Sequence, residues 1–209
     1  MSICELSVKH FKALRYSHDI SAANLADVLE LKSSASITNI ENGKAAPSYE
    51  LLERYADTFA VSVDWLMGRS DKIYTHDSLL KAEQTALAKL QEVDITGEYS
   101  KFDANYLDVS ARCKSFSPKA RGSIIFLMVS AYIPLVEALQ TSKQYNNNPS
   151  SFMDKVFNLL VYRDVSKYYD IKLTKKNREK LDLFASLIHN KPNIIAYDIE
   201  AYLQQKLAD

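Results

Sequence analysis

Residues 21–44 read SAANLADVLELKSSASITNIENGK, and the way this run divides decides the fold. In its first half Leu25, Ala26, Val28 and Leu29 recur at the 3.6-residue period of a helix with one inward face, and Ser21 stands where a hydroxyl oxygen would take the first free N–H groups. Ala26 matters by its size, because two helices crossing over a short turn approach closely only where a methyl meets the partner. In the second half Ile37 and Ile40 point inward, which leaves Ser34, Ala35, Ser36, Thr38 and Asn39 on the outward side. Asn42-Gly43 then closes the second helix, since glycine takes the left-handed position after a helix without strain.

The flanks extend the pattern. Residues 6–17 form a helix with Val8, Phe11 and Leu14 inward and Arg15 at the edge of that face. Pro47-Ser48 opens a helix carrying Leu51, Leu52, Tyr55, Ala56 and Phe59 at helical spacing, and Ser62 caps a short helix over 63–67 that Gly68 stops. Trp65, the only tryptophan, belongs to the core, where its large ring contributes most. With Leu14-Arg15, Ser21, Leu25-Ala26, the run 37–44, Pro47-Ser48 and the run 61–68, residues 11–68 resemble the lambda-repressor and Cro type of helix-turn-helix domain, also called the Xre family.

That resemblance implies a five-helix DNA-binding domain whose third helix enters the major groove. Ser34, Ala35, Ser36, Thr38 and Asn39 would face the bases, while Lys32, Ser33, Ser36, Asn42 and Lys44 would hold the backbone. Asn39 has the chemistry to bond adenine N6 and N7 together, and Ala35 and Thr38 offer methyls to thymine. By the same resemblance Arg15 pairs with Glu41 and braces the first helix against the third. The chain departs from the family in three places: one extra residue stands between Leu31 and Ile37, Glu30 replaces a common turn glycine, and Ala22 replaces a common phosphate-binding glutamine.

Composition bounds the remainder. With 209 residues, 47% hydrophobic, the chain can bury a sizeable core in two domains, and its four glycines and five prolines favour long helices over hairpins. The expected class is all-α: a helix-turn-helix domain over residues 1–69, a polar linker over 70–77 and a helical bundle over 78–209. Two cysteines far apart, Cys4 and Cys113, suit a reducing cytoplasm. The N-terminus lacks the apolar run of a signal peptide, and the longest uncharged run, residues 122–136, has 15 residues where a membrane helix needs about 20. Net charge is formally zero, and residues 1–72 hold eight lysines and arginines against ten aspartates and glutamates. Bulk attraction to nucleic acid is therefore absent, so individual lysines and a dimer must supply the affinity.

In the second half, residues 78–93 carry an apolar stripe, 99–114 a weaker one, and 122–139 are apolar on every face, with Pro134 expected to kink the helix. A loop over 146–151 and helices over 152–169, 174–190 and 192–207 follow, the last opened by Pro192 with Ile195, Ile199, Tyr202, Leu203 and Leu207 inward. The stripes around Leu87 and Ile125 are the expected assembly surfaces. No catalytic residue, cofactor site or metal site is indicated: His10, His18, His76 and His189 lack ligand spacing. The glycine-poor second half is also unlike the strand-rich self-cleaving domain of lambda-type repressors. The expectation is a dimeric, cytoplasmic transcriptional regulator, a repressor, on a two-fold operator in double-stranded DNA, with room for a small-molecule, peptide or protein effector at the C-terminal domain. The alternative is an antitoxin or antagonist of another regulator that grips a protein partner through its helical half.

Overall fold

The structure is a computed structural model that describes residues 3–93, 116–134 and 197–207, with isolated helical positions at 137, 175 and 179. Helices α1 (Ile3–Ser17), α2 (Ala22–Val28), α3 (Ala35–Glu41), α4 (Tyr49–Phe59) and α5 (Val63–Leu66) come first. They are followed by α6 (His76–Val93), α7 (Pro118–Leu127) with a π-helical turn over Met128–Tyr132, and α8 (Ile199–Leu207). No strand occurs among the described residues. The expected helices over 99–114, 152–169 and, apart from positions 175 and 179, 174–190, the loop 146–151, Cys113 and His189 lie outside them, as do residues 192–196 of the helix expected over 192–207.

Three serines start helices as their positions foretold. Ser21 Oγ accepts from the Asn24 N–H at 3.1 Å, Ser48 Oγ from Leu51 at 3.2 Å and Ser62 Oγ from Trp65 at 3.4 Å. Each satisfies a donor that the first turn leaves without an intrahelical partner, a contribution of about 1 kcal/mol apiece. The helix ends share one device: after each of α1 to α5 a residue turns left-handed and the next N–H reaches back five residues. Asp19, Glu30, Gly43, Ala60 and Gly68 hold those positive φ angles, with Ile20 bonding Arg15, Leu31 bonding Ala26, Lys44 bonding Asn39, Val61 bonding Ala56 and Arg69 bonding Asp64. Only two of the five are glycine.

These five helices surround Phe11, Leu14, Leu25, Leu29, Ile37, Tyr55, Phe59 and Leu66, all buried. The Phe11 and Tyr55 rings meet edge to face at 4.8 Å. His10 is buried with its ring stacked on Trp65 at 4.2 Å and Nδ1 2.6 Å from the Trp65 carbonyl oxygen, while His18 packs edge-on against Phe59. Both histidines are thus core residues. Val8 and Val28, expected inward, are half-buried, since each sits at the margin of its helix's apolar face.

The segment expected as a polar linker is tied down instead. Ile73 is buried and its carbonyl accepts from the Ser62 N–H at 2.7 Å. Helix α6 already begins at His76, opened by Thr75 and Ser78, whose hydroxyls each accept from the other's backbone N–H. By contacts the chain forms two compact units, and the first gathers residues 1–85, 118–125 and 195–209. Within it Gly122 admits the Tyr74 ring: a Cβ there would lie 2.6 Å from Tyr74 Cε1.

Inside that unit α8 lies against α1, and its start differs from expectation. Residues 197 and 198 are not helical and Asp198 caps the helix, its Oδ1 accepting from the Ala201 N–H at 2.9 Å, while Pro192 lies outside the described residues. Asp198 also pairs with Lys119, and Ser123 Oγ accepts from the Tyr197 N–H at 3.1 Å. In the second unit, residues 126–133 are buried apart from half-buried Ser130. The winding loosens over Met128–Tyr132, where Pro134 removes the N–H that the Ser130 carbonyl would otherwise accept, so the kink expected at Pro134 takes the form of a wide turn.

Candidate nucleic-acid interface

Helix α3 shows how seven residues can be half core and half surface. Ile37, Ile40 and Glu41 are buried, and Ala35, Ser36, Thr38 and Asn39 between them are exposed. Ser34, at the N-cap, is half-buried. Flanking the helix, Lys32, Ser33, Asn42 and Lys44 are all exposed. Every residue the sequence assigned to a DNA surface, Ser34 in part, is therefore presented outward by one helix and its two flanks.

The brace is present. Arg15 Nε and Nη2 donate to Glu41 Oε1 and Oε2 at 2.6 and 2.7 Å, a two-pronged pair between α1 and the last turn of α3. The side chains are only 13% and 5% exposed, so solvent screens the pair little. Hydrogen bonding to Glu41 holds the Arg15 proton more firmly than in a free arginine, and Arg15 Nη1 reaches the Ile20 carbonyl at 3.4 Å. The guanidinium also lies over the Tyr16 ring, 4.2 Å from its centre.

The turn into α3 absorbs two of the departures. Glu30 takes the left-handed position at φ 56°, the conformation a glycine would hold more easily. The extra residue is accommodated before the helix: α3 begins at Ala35, and Lys32, Ser33 and Ser34 span the gap from Leu31. Ser33 Oγ accepts from the Ala35 N–H at 3.2 Å, which leaves its own proton for an external acceptor. Thr38 Oγ1 donates back to the Ser34 carbonyl at 3.2 Å.

One positioning residue was not anticipated. Arg54 of α4 donates through Nη1 to the Leu29 carbonyl at 2.8 Å and pairs through Nη2 with Glu50 at 2.7 Å. It thereby places a cation on the carbonyl end of α2, beside the turn that aims α3. The Glu50/Arg54 spacing is legible in the sequence as a helical ion pair, but the reach to Leu29 depends on how α4 crosses α2.

Charge is arranged to match. Arg15, Arg54, Arg69 and Lys81 are paired with carboxylates, whereas Lys9, Lys12, Lys32 and Lys44 have no ion pair among the described residues. No group of histidine, cysteine and carboxylate side chains suited to a metal ion occurs among the described residues, and no described helix is long and apolar enough to cross a membrane.

Comparison with known families agrees with this geometry. Residues 11–66 match the HTH_3 family, described as helix-turn-helix. The N-terminal domain is a helix-turn-helix domain of the Xre, lambda-repressor-like kind, a class of DNA-binding regulators. The remainder of the chain lies outside that match, and no curated protein or solved structure matches the chain.

Proposed function

We propose that the chain is a sequence-specific transcriptional regulator, a repressor, that binds double-stranded DNA as a dimer on a two-fold operator. The observation that carries the reading is the exposed face of α3, held against α1 by the Arg15–Glu41 pair while Ile37 and Ile40 stay in the core. In this reading Ser34, Ala35, Ser36, Thr38 and Asn39 meet base edges, and Lys32, Ser33, Asn42 and Lys44 meet phosphates.

A dimer follows from energetics. A domain with few unpaired lysines and more acid than base gains little from counterion release, so two half-sites must add their modest energies. Half-sites would then lie about 34 Å apart or a multiple of that. The stripe residues named for assembly need qualification: Ile125, Leu79 and Leu90 are covered within the chain, and Leu87 is half-buried. Leu80 and Tyr49 are large apolar side chains that remain exposed.

The test is selection of bound sequences from random duplexes with the full chain, followed by footprinting with Asn39→Ala. Selectivity between the chosen site and random DNA should fall about tenfold or more with the variant, at unchanged thermal stability. Footprints identical to the original would remove Asn39 from the reading. The acid excess of residues 1–72 supports the second reading, a module that binds a protein rather than an operator; a selection that enriches no sequence favours it.

A further inference from the structure

We infer that the base-reading surface is built for A·T pairs, so that operator half-sites carry adenine and thymine where α3 enters the groove. The inference deepens the DNA-binding reading above and rests on it. Its starting point is what the outward face of α3 contains: Ala35, Ser36, Thr38 and Asn39, with no charged side chain among them.

Guanine is read chiefly by the arginine fork or a lysine on O6 and N7, and cytosine by a carboxylate on its amino group. No arginine occurs from Leu29 to Pro47. The two that approach the motif from α1 and α4 are occupied, Arg15 by both oxygens of Glu41 and Arg54 by Glu50 and the Leu29 carbonyl. Glu41, the one carboxylate on α3, is buried in its pair with Arg15. Neither member of a G·C pair therefore has a charged reader on the helix.

What remains suits the other pair. Thr38 commits its hydroxyl proton to the Ser34 carbonyl, so its chief offering is a methyl group. Ala35 presents a second methyl three residues earlier, about 5–6 Å away on the same face of the helix. Two methyls so placed match the C5 methyls of thymines. The Asn39 carboxamide is exposed and makes no hydrogen bond among the described residues, which leaves both its donor and its acceptor for adenine N6 and N7. Lys32 and Lys44 stand outside the two ends of α3, where they meet phosphates.

The experiment uses the full chain and the site it enriches from random DNA, remade with single-atom analogues. Deoxyuridine in place of a contacted thymine removes one methyl and should weaken binding about fourfold. Replacing the contacted adenine by 7-deazaadenine should cost about tenfold, and Asn39→Ala should abolish that sensitivity. Substitution by 7-deazaguanine should change nothing. A site centred on guanine whose 7-deaza analogue costs tenfold, with the sensitivity lost in Lys32→Ala, would overturn the inference while leaving DNA binding intact. Failure to enrich any sequence would overturn both together.

Discussion

Polar atoms in and beside the core differ in what they find. Arg15 and Glu41 satisfy each other across the core, whereas the Tyr55 hydroxyl, with Arg15 and Glu41 near enough to bias its ionisation, is buried with no hydrogen-bond partner among the described residues. An unpaired buried hydroxyl costs about 1–3 kcal/mol. Tyr55→Phe keeps the edge contact with Phe11 and should raise stability by about 1 kcal/mol, read as a higher urea midpoint; a loss of similar size would show that the hydroxyl has a partner in solution. His10 makes stability depend on pH. Burial pulls its pKa below the ordinary 6.5, against the opposing pull of the Trp65 carbonyl and Asp71. The unfolded chain then binds the proton more tightly, so the stability this ring supports is present above pH 6.5 and is lost as pH falls toward the folded value. Urea midpoints at pH 7.5 and 5.5 should separate for the native chain and draw closer in His10→Gln.

At the scale of the helix, left-handed endings on Glu30 and Ala60 offer a contrast. A non-glycine residue in that conformation costs roughly 1–2 kcal/mol, and glycine's extra unfolded freedom offsets about 0.5–1 of any relief. Glu30 is exposed, so Glu30→Gly should gain about 0.5–1 kcal/mol in chemical denaturation. Ala60 is fully buried, and losing its methyl costs about 0.8 kcal/mol, so Ala60→Gly should stay near zero. Equal gains at both sites would mean that burial of the Ala60 methyl contributes nothing. Much at this scale was legible beforehand. Ser21, Ser48 and Ser62 mark helix starts because a cap is a local hydrogen bond. Ile37 and Ile40 mark the hidden face of α3 because period 3.6 needs no tertiary knowledge. Ile73, Arg54 and the Asp198 cap were not legible, since each answers to residues far away in sequence. A polar segment read as a linker hides its one buried isoleucine in plain sight.

For the molecule as a whole, α8 belongs with the helix-turn-helix unit although the family match ends at residue 66. Its Tyr202 ring lies parallel to Tyr16 at 6.1 Å, and Tyr16 in turn lies beneath the Arg15 guanidinium. His18 meets Tyr197 at 4.4 Å in the same region. Ring pairs of this kind contribute about 0.5–1.5 kcal/mol. Tyr202→Ala should therefore lower the thermal midpoint by a few degrees and Tyr202→Phe should restore it, provided the tyrosine ring and not its hydroxyl makes the contact. An unaltered midpoint in the alanine variant would mean that α8 contributes nothing to the unit.

A unit that closes only when residues 195–209 return to it is discontinuous along the chain, and protein synthesis is directional. A ribosome adding about 5–20 residues per second spends roughly 5–20 s making the intervening 110 or so. Through that interval the nascent α1 to α5 wait without Tyr197 and Tyr202, the rings that meet His18 and Tyr16. Closure of the helix-turn-helix unit thus trails the synthesis of its own first five helices, and a chain cut short before residue 195 would lack the segment that packs on α1.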